Sequence, residues 1–281
     1  MKNLKHINKC PICESSSKKW VTLPNLSLRR CLCGHCFTSA ESIKLKEEYT
    51  PDYFLETHKN WFDNPNYSLF SFLAFEIKRN RPKSILDIGC GNGSFLKYLL
   101  KDFKDIDLVG IDLSKAANFE EKINYIVGDF LTKHFNRKFD VLVSLAVIEH
   151  LDDINGFVKK CYEILNKNGI AYVMTLNESS ILYQLSNILR KIGFPSFFIR
   201  LYDGHHLNHF SQKSLLELLT KDNLFKVIKV RNHNIPLRCI DIPEKNLLKK
   251  WIIFLGVVMT FIVGKMTNRC YLQTVIAIKV C

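Results

Sequence analysis

The chain has 281 residues, of which 47% are hydrophobic and 24% are charged. This composition is typical of a globular protein with a large core, and it excludes disordered and fibrous classes. The formal charge of +13 lies at the two ends, because residues 1–40 carry seven Lys and Arg against one Glu and residues 221–281 carry eleven against three acids. Basic ends suit an anionic partner, namely a phospholipid surface, a phosphorylated carrier or RNA, although a Lys-rich coding bias would produce the same pattern.

The first residues, MKNLKHINK, are polar and basic and contain no apolar run. The sequence therefore predicts a cytoplasmic protein rather than a secreted one. In that reducing compartment the ten cysteines of the chain are not expected to form disulfides.

Residues 1–40 contain five cysteines in a pattern typical of a metal site. Cys10 and Cys13 form one C-x2-C pair and Cys33 and Cys36 form another, with 19 residues between the pairs. This spacing predicts a zinc-ribbon-like module in which four thiolates bind zinc, and Cys31 is the alternative to Cys36 as the fourth ligand. Four thiolates leave no coordination position for water, so the zinc is expected to be structural.

Residues 41–80 have the pattern of a helical lead-in, and from residue 81 onward short β-type runs alternate with helical patterns. This alternation predicts an α/β domain over residues 81–281. Its strands are predicted at residues 84–88, 108–112, 125–127, 141–145, 170–176, 226–230 and 271–279. Helices are predicted to begin near Gly93, Ser114 and Asp153, and the pair Asn168-Gly169 is expected to end the third helix.

The first strand of this domain delivers an acid, Asp87, and then glycines at positions 89, 91 and 93. Glycine adopts positive φ and allows the backbone to approach a ligand, while the following helix start provides oriented N–H groups. The G-x-G-x-G spacing differs from the dinucleotide pattern G-x-G-x-x-G. The loop alone therefore indicates a nucleotide-like ligand without identifying it.

Two further acids fall at or just beyond the ends of the next two predicted strands. Asp112 ends the second strand, where a carboxylate can accept hydrogen bonds from a ribose diol, and Asp129 follows the third, where an adenine could lie. Ligands of open α/β sheets bind beyond the carboxyl ends of the strands. Together with Asp87, these acids predict one binding cleft.

The order of the motifs DIGCGNG, GIDLS, VGDF, FDVLVSLAVIEHL and ILNKNGIAYV resembles that of class I S-adenosylmethionine-dependent methyltransferases, over about residues 80–176. The resemblance implies a Rossmann-like, seven-stranded, mostly parallel sheet whose last strand is antiparallel, with S-adenosylmethionine as cofactor. It also implies a role for each matching position. Asp87, Gly89, Gly91 and Gly93 would line the methionine end, Asp112 would hold the ribose hydroxyls, Asp129 and Phe130 would flank the adenine, and Leu145 would contribute backbone.

A zinc module ahead of this domain resembles the layout of bacterial methyltransferases that modify sugars and other small metabolites. The expected acceptor is therefore a hydroxyl of a sugar, a lipid-linked glycan or a similar metabolite. One alternative is a ribosomal RNA base methyltransferase, although residues 1–40 offer only Trp20 and Phe37 for base stacking. A second alternative is a non-catalytic, zinc-bearing interaction protein.

Methyl transfer to a hydroxyl requires removal of a proton, for which a histidine is suited. We predict His150, in the EHL motif, and His209, in the HHLNHF motif, as candidate bases. Each has a structural alternative, as a brace of the loop or as a helix cap.

Two apolar segments have more than one interpretation. Residues 177–204 are either a lid over the acceptor or helices packed on the core. Residues 251–263 form a thirteen-residue apolar run, shorter than the roughly 20 residues of a spanning helix, which predicts a buried or interfacial helix. Because Lys249, Lys250 and Lys265 flank this run, membrane-surface contact through the basic C-terminal region is an alternative, at the inner face of the membrane.

Overall fold

The computed structural model describes residues 8–24, 26–39, 60, 63–103, 105–114, 120–202, 205–242 and 244–280. Its strands are β1 (Lys18–Leu23), β2 (Leu26–Arg30), β3 (Cys36–Thr38), β4 (Ser84–Ile88), β5 (Asp107–Asp112), β6 (Ile123–Val127), β7 (Phe139–Leu145), β8 (Leu165–Leu176), β9 (Asn208–His209), β10 (Phe225–His233) and β11 (Leu272–Lys279). Its α-helices are α1 (Tyr67–Arg79), α2 (Ser94–Leu99), α3 (Ile154–Ile164), α4 (Ile181–Lys191), α5 (Ser196–Leu201), α6 (Gln212–Thr220) and α7 (Leu247–Met266).

The larger sheet has seven strands in the order β6-β5-β4-β7-β8-β11-β10. The strands β4 to β8 pair in parallel, whereas β11 is antiparallel to both β8 and β10. This arrangement confirms the predicted Rossmann-like sheet with its last strand antiparallel. The predicted strands differ from the observed ones only at their ends, because apolar runs bounded by turns are a strong local signal.

Both faces of the central strands of this sheet are buried, as expected for parallel strands covered by helices. Along β4, Leu86 belongs to the cluster that includes Phe157 and Leu215, while Ile85 belongs to the cluster that includes Leu73 and Leu96. Alternating residues of the same strand thus enter opposite cores. The carboxyl ends of the strands remain available at one edge.

The prediction for Asn168-Gly169 was wrong, because α3 ends at Ile164. The pair lies instead within β8, where the pairing with β7 jumps from Phe139↔Leu165 to Val141↔Ile170. Asn168 has a φ of 60°, so a residue type that tolerates the left-handed region forms an irregularity of the strand rather than a helix end. The helix predicted from Ser114 continues into residues 115–119, which lie outside the described residues.

The smaller sheet has the order β1-β2-β3-β9 and joins the N-terminal segment to the α/β domain. Its last strand, β9, lies far along the chain and pairs with β3 through Cys36↔His209 and Phe37↔Asn208. Ile12 and Phe37 also pack into the same core cluster as Phe210. The N-terminal segment therefore shares both a sheet and a core with the rest of the protein.

The helix α7 is longer and more exposed than the apolar run of its sequence indicates. It spans 20 residues, and among the described helices it is long and apolar enough to cross a membrane. The Asn246 side chain caps its start by accepting from Lys249 N at 3.0 Å. The apolar run is thus the central part of a longer helix, because the flanking lysines and leucines extend it, and only one face of the helix packs on the protein.

Candidate active site

A cavity of about 430 Å³ opens at the carboxyl ends of β4, β5 and β7. Of the residues predicted to hold the cofactor, all but Gly93 line it: Asp87, Gly89, Gly91, Asp112, Asp129, Phe130 and Leu145. His150 lines the same cavity. The structure therefore brings the strand-end acids and one of the two predicted bases into a single space.

The glycine loop needs its glycines at two positions in particular. Gly89 has a φ of +69° and Gly93 a φ of +72°, and a Cβ at these positions would overlap Val147 and Tyr125 respectively. The loop is tied to β5, because Gly89 N donates to Ile111 O at 2.8 Å. Because there is no room for side chains at these positions, the backbone of the glycine loop itself borders the cavity.

Asp87 is the buried acid of the cavity, with 3% of its surface exposed. Burial, followed by the negative charge of Asp112, raises the pKa of Asp87 well above its usual value. A cationic ligand in the cavity would oppose both effects. The site therefore fits S-adenosylmethionine, whose sulfonium and amino groups are positively charged.

Asp112 is held rigidly at the end of β5. Its Oδ2 accepts from Gly91 N at 2.8 Å, and its Oδ1 accepts from the backbone N and the Oγ of Ser114 at 2.9 and 2.8 Å. A carboxylate has about four acceptor positions, so these bonds orient the group without using its full capacity. The arrangement suits a diol such as that of ribose.

Asp129 and Phe130 form the wall beyond β6. Asp129 Oδ1 accepts from Leu131 N at 2.9 Å, which turns the chain after the strand. Phe130 is 7% exposed and its ring lies 5.6 Å from that of Phe157. A flat aromatic wall beside an acid suits a planar base.

The turn after β7 brings the next residues to the cavity. Ala146 has a φ of +57°, a conformation that a non-glycine residue rarely adopts. Its N–H donates to Met174 O at 3.0 Å, which anchors the turn to β8. The 3-10 helix Ile148–His150 follows and delivers Glu149 and His150 to the cavity.

His150 is oriented by the segment that precedes β9. Its Nδ1 donates to the His205 carbonyl at 3.0 Å, and its ring centroid lies 4.8 Å from that of His206. In a neutral imidazole whose Nδ1 carries the hydrogen, Nε2 is the basic nitrogen. This is the tautomer that a proton acceptor at Nε2 requires.

Glu149 is a candidate that the sequence analysis missed. It lines the cavity, is 1% exposed and accepts from Thr175 Oγ1 at 2.9 Å. Burial raises its pKa to about 7, which is suited to proton transfer near neutrality. Its only signal in the sequence was its place beside His150, since the depth of burial depends on β8.

His209 lies outside the lining of the cavity. It is 2% exposed, and burial lowers its pKa to about 3. Thr38 Oγ1 donates its hydrogen to His206 O at 2.7 Å, so at 3.2 Å it accepts from His209 Nε2. Because β9 pairs with β3, this histidine serves the contact between the two sheets, and the geometry does not support the predicted role as a base.

The family model described as "Methyltransferase domain" matches residues 61–230, which include the cavity-lining motifs. The chain belongs to this methyltransferase family. Membership of this family supports an enzyme over the alternative of a non-catalytic interaction protein.

Curated relatives of the methyltransferase support this assignment. The ubiquinone biosynthesis O-methyltransferase of Pelagibacter ubique is 35% identical over 104 residues, which cover 34% of this chain and 42% of the relative. The ribosomal RNA large subunit methyltransferase E of Brachyspira hyodysenteriae is 30% identical over 172 residues, which cover 57% of this chain and 81% of the relative. The chain spans less than half of the first relative, so the comparison leaves its substrate open.

A solved structure supports the fold. An S-adenosylmethionine-dependent methyltransferase from Archaeoglobus fulgidus superposes with a TM-score of 0.53 and 23% identity, covering 81% of this chain and 99% of that one. At this identity the similarity concerns the fold alone.

A four-thiol cluster lies at the N-terminal end of the methyltransferase. The Sγ atoms of Cys10, Cys13, Cys31 and Cys33 all lie within 4.8 Å of one another, with Cys10–Cys33 at 3.6 Å and Cys13–Cys31 at 3.4 Å. Zinc–thiolate bonds of about 2.3 Å in a tetrahedron place sulfurs roughly 3.8 Å apart. The donor set and spacing fit a structural zinc ion.

Cys36, the expected fourth ligand, lies outside this cluster. It opposes Arg30 and His209 in the smaller sheet and is fully buried among apolar residues that include Leu28 and Tyr183. Strand pairing therefore directs its thiol into the core and leaves Cys31 as the fourth member of the cluster. This corrects the preference for C-x2-C spacing in the second pair.

The predicted lid packs on the N-terminal segment rather than over the cavity. Tyr183, Phe198 and Tyr202 form one buried cluster with Val21 and Leu28. Among the described residues 177–202, none belongs to the lining of the cavity. The structure thus favours the packing interpretation of this insert.

Proposed function

We propose that this methyltransferase transfers a methyl group to a hydroxyl of a sugar, a lipid-linked glycan or a similar small metabolite. The observation that carries the proposal is that the strand-end acids and the pair Glu149 and His150 share one cavity. The name of the Pelagibacter relative, an O-methyltransferase of ubiquinone biosynthesis, supports a small acceptor with a reacting hydroxyl.

S-adenosylmethionine, when bound, supplies a methyl group already activated on its sulfonium sulfur. The protein's residues then have two tasks. Asp112 and the glycine loop hold the nucleoside, with Asp129 and Phe130 at the adenine. His150 Nε2 accepts the proton of the acceptor hydroxyl, and the carboxylate of Glu149 is the second candidate for this step.

The acceptor side of the cavity is the part beyond the cofactor acids. It is lined by Met174, Leu176, Pro236, Cys239 and Tyr271, which provide an apolar wall close to Glu149. Such a wall excludes water from a reacting hydroxyl. It suits an acceptor with an apolar portion better than a bare, highly hydrated sugar.

The test is a methyl-donor assay with nucleotide sugars, lipid-linked glycans and total RNA. We expect transfer to a small or lipid-linked acceptor, with a large loss of kcat in His150→Asn and an unchanged affinity for S-adenosylmethionine. If Glu149→Gln abolishes transfer and His150→Asn does not, Glu149 is the base. Failure of the chain to bind S-adenosylmethionine in titration calorimetry would overturn the proposal as a whole.

The second candidate is methylation of ribosomal RNA, which the Brachyspira relative favours by name. The basic N-terminal segment would then contact phosphates. Binding to RNA with a steep dependence on salt concentration would support this candidate, since phosphate contacts release counterions. Absence of RNA binding at low salt would remove it.

We further propose a structural zinc ion on Cys10, Cys13, Cys31 and Cys33, and a cytoplasmic location at the inner face of the membrane. The convergence of the four thiols supports the metal. Metal analysis of the purified chain should find about one zinc per molecule.

A further inference from the structure

The helix α7 has two apolar faces, of which only one is covered. The covered face carries Val257, Thr260, Phe261 and Gly264, and it packs against Leu182 of α4 and Phe197 of α5. The approach is close at Gly264, where a Cβ would lie 2.8 Å from Arg269 O. This face is an ordinary internal contact.

The opposite face is exposed along the whole helix. Its residues follow one another at intervals of three or four positions and are between 49% and 82% exposed: Leu248, Ile252, Leu255, Met259, Ile262 and Met266. With 3.6 residues per turn, these positions lie on one side of a helix roughly 30 Å long. We call them the outward face.

In a helix at an aqueous surface this side would carry polar residues. Here the stretch from Trp251 to Gly264 contains no charged residue at all. A contiguous apolar surface of this length marks a contact site.

Charge identifies the partner. From Lys245 to Arg269 the chain carries five basic residues and no acid, with Lys249 and Lys250 at one end of the helix and Lys265 at the other. All five basic residues are exposed. An apolar stripe with cations at both ends matches an anionic phospholipid surface, where the stripe enters the acyl boundary and the lysines meet headgroups.

A second copy of the chain fits this face less well. Two outward faces packed on each other would bring these basic ends together without an acid on either segment to pair with them. Like charges at an interface oppose association. The lipid surface satisfies both the apolar and the charged part of the patch.

The connections of α7 decide that it lies along the membrane instead of crossing it. It is flanked by β10 and β11, which are paired neighbours in one sheet from Phe225↔Lys279 to His233↔Leu272. A crossing helix would require the irregular segment before it, which carries Arg238, Asp241 and Glu244, to return through the hydrocarbon. Charged side chains and backbone outside a continuous helix or closed barrel are not stable there.

We propose that the outward face of α7 docks the methyltransferase on the surface of an anionic bilayer, with the helix axis parallel to the membrane plane. The docked helix adjoins the acceptor side of the cavity, because Tyr271 lines the cavity and stacks on Phe261 of α7 at 6.2 Å. The docking thus favours an amphiphilic acceptor. This inference about the acceptor rests on the proposed function.

Vesicle flotation of the full chain tests the docking. Vesicles of phosphatidylcholine with and without phosphatidylglycerol are compared at low salt, and we expect binding to the anionic vesicles. The double variant Leu255→Glu/Met259→Glu should bind at least about tenfold more weakly. The matched control is Phe75→Glu/Ile228→Glu, which changes residues of similar exposure (63% and 52%, against 57% and 57%) elsewhere on the surface.

A third variant, Lys249→Gln/Lys250→Gln/Lys265→Gln, should weaken binding to anionic vesicles. The proposal is overturned if the unmodified chain does not float, or if the two glutamate pairs behave alike. It is also overturned if sedimentation without lipid shows a dimer that Leu255→Glu/Met259→Glu dissociates, since the face would then bind a second copy. Calorimetry with S-adenosylmethionine, expected to be unchanged in every variant, separates these outcomes from a failure of the proposed function.

Discussion

The two halves of the cavity are built in different ways. On the cofactor half, each acid lies at or just after the end of the strand that carries it. The side-chain hydrogen bonds of these acids join residues close in sequence, and the widest separation is the 21 positions between Asp112 and Gly91. On the acceptor half, His150 is held by His205 across 55 positions, and the segment with His206 is held by Thr38 across 168. The cofactor half is therefore a local construction, while the acceptor half depends on the N-terminal segment.

This difference suggests how the four-thiol cluster, which lies outside the cavity, can affect methyl transfer. The cluster orders the loop before β3, and β3 in turn carries Thr38, whose backbone N donates to Leu207 O at 2.9 Å. The same segment is held from its other side by Glu149, whose backbone O accepts from Leu207 N at 2.8 Å. We interpret the cluster as a support for the acceptor half of the cavity.

Loss of the proposed zinc ion should have the largest effect and should separate the two halves. We expect Cys31→Ser to lose zinc and to unfold at the N-terminal segment, since structural zinc sites contribute about 10 kcal/mol or more to folding. Methyl transfer should fall strongly, whereas affinity for S-adenosylmethionine should change little. Cys36→Ser is the control, and it should keep about one zinc per chain in metal analysis. If Cys36→Ser loses the metal and Cys31→Ser keeps it, the assignment of the fourth thiol is wrong.

Replacement of Glu149 by Gln should change how stability depends on pH. The folded-state pKa is about 7 against an ordinary 4.5, so folding favours the protonated form. The stability of the unmodified chain relative to the variant is therefore fully present below about pH 4.5 and is lost as pH rises through 7, by at most about 3 kcal/mol. Urea unfolding at pH 5 and pH 8 measures this difference. Parallel pH profiles for the two proteins would show that Glu149 does not titrate in this way.

Asp112→Ala should damage the cofactor half alone. Loss of a charge-assisted hydrogen bond to a ribose hydroxyl, together with the bonds that hold Gly91 and Ser114, should weaken binding of S-adenosylmethionine about a hundredfold, measured by titration calorimetry. The metal content should not change. Asp102→Ala, which removes an exposed acid outside the cavity lining, is the control. Equal affinities for the two variants would contradict the assigned position of the nucleoside.

Thr38→Val should have the smallest effect, and it tests whether the N-terminal segment supports the acceptor half of the cavity alone. It preserves shape but removes the hydroxyl that donates to His206 O and accepts from His209. We expect kcat to fall about threefold to tenfold, equivalent to roughly 1 kcal/mol, with an unchanged affinity for S-adenosylmethionine. A loss of cofactor affinity without a loss of kcat would show that the N-terminal segment supports the other half.

Particular residues show where sequence reasoning succeeded and where it did not. The seven strands and the glycine loop were predictable because periodicity and turn residues are local signals. Glu149 was missed because its neighbours on β8, such as Thr175, are distant in the chain. The length of α7 was underestimated because only the apolar run was counted, whereas Asn246 caps the helix five residues before that run and Met266 ends it three residues after.

By itself, the sequence determined the α/β sheet, the acids at the strand ends and the presence of a thiol-rich N-terminal segment, since each depends on residues close together in the chain. Only the tertiary structure decided that Cys31 replaces Cys36 in the cluster, that His209 leaves the cavity and that one face of α7 stays uncovered. These outcomes depend on the pairing of β3 with β9 and on the packing of α7 against α4. Contacts between such distant segments leave no periodic signal in either of them.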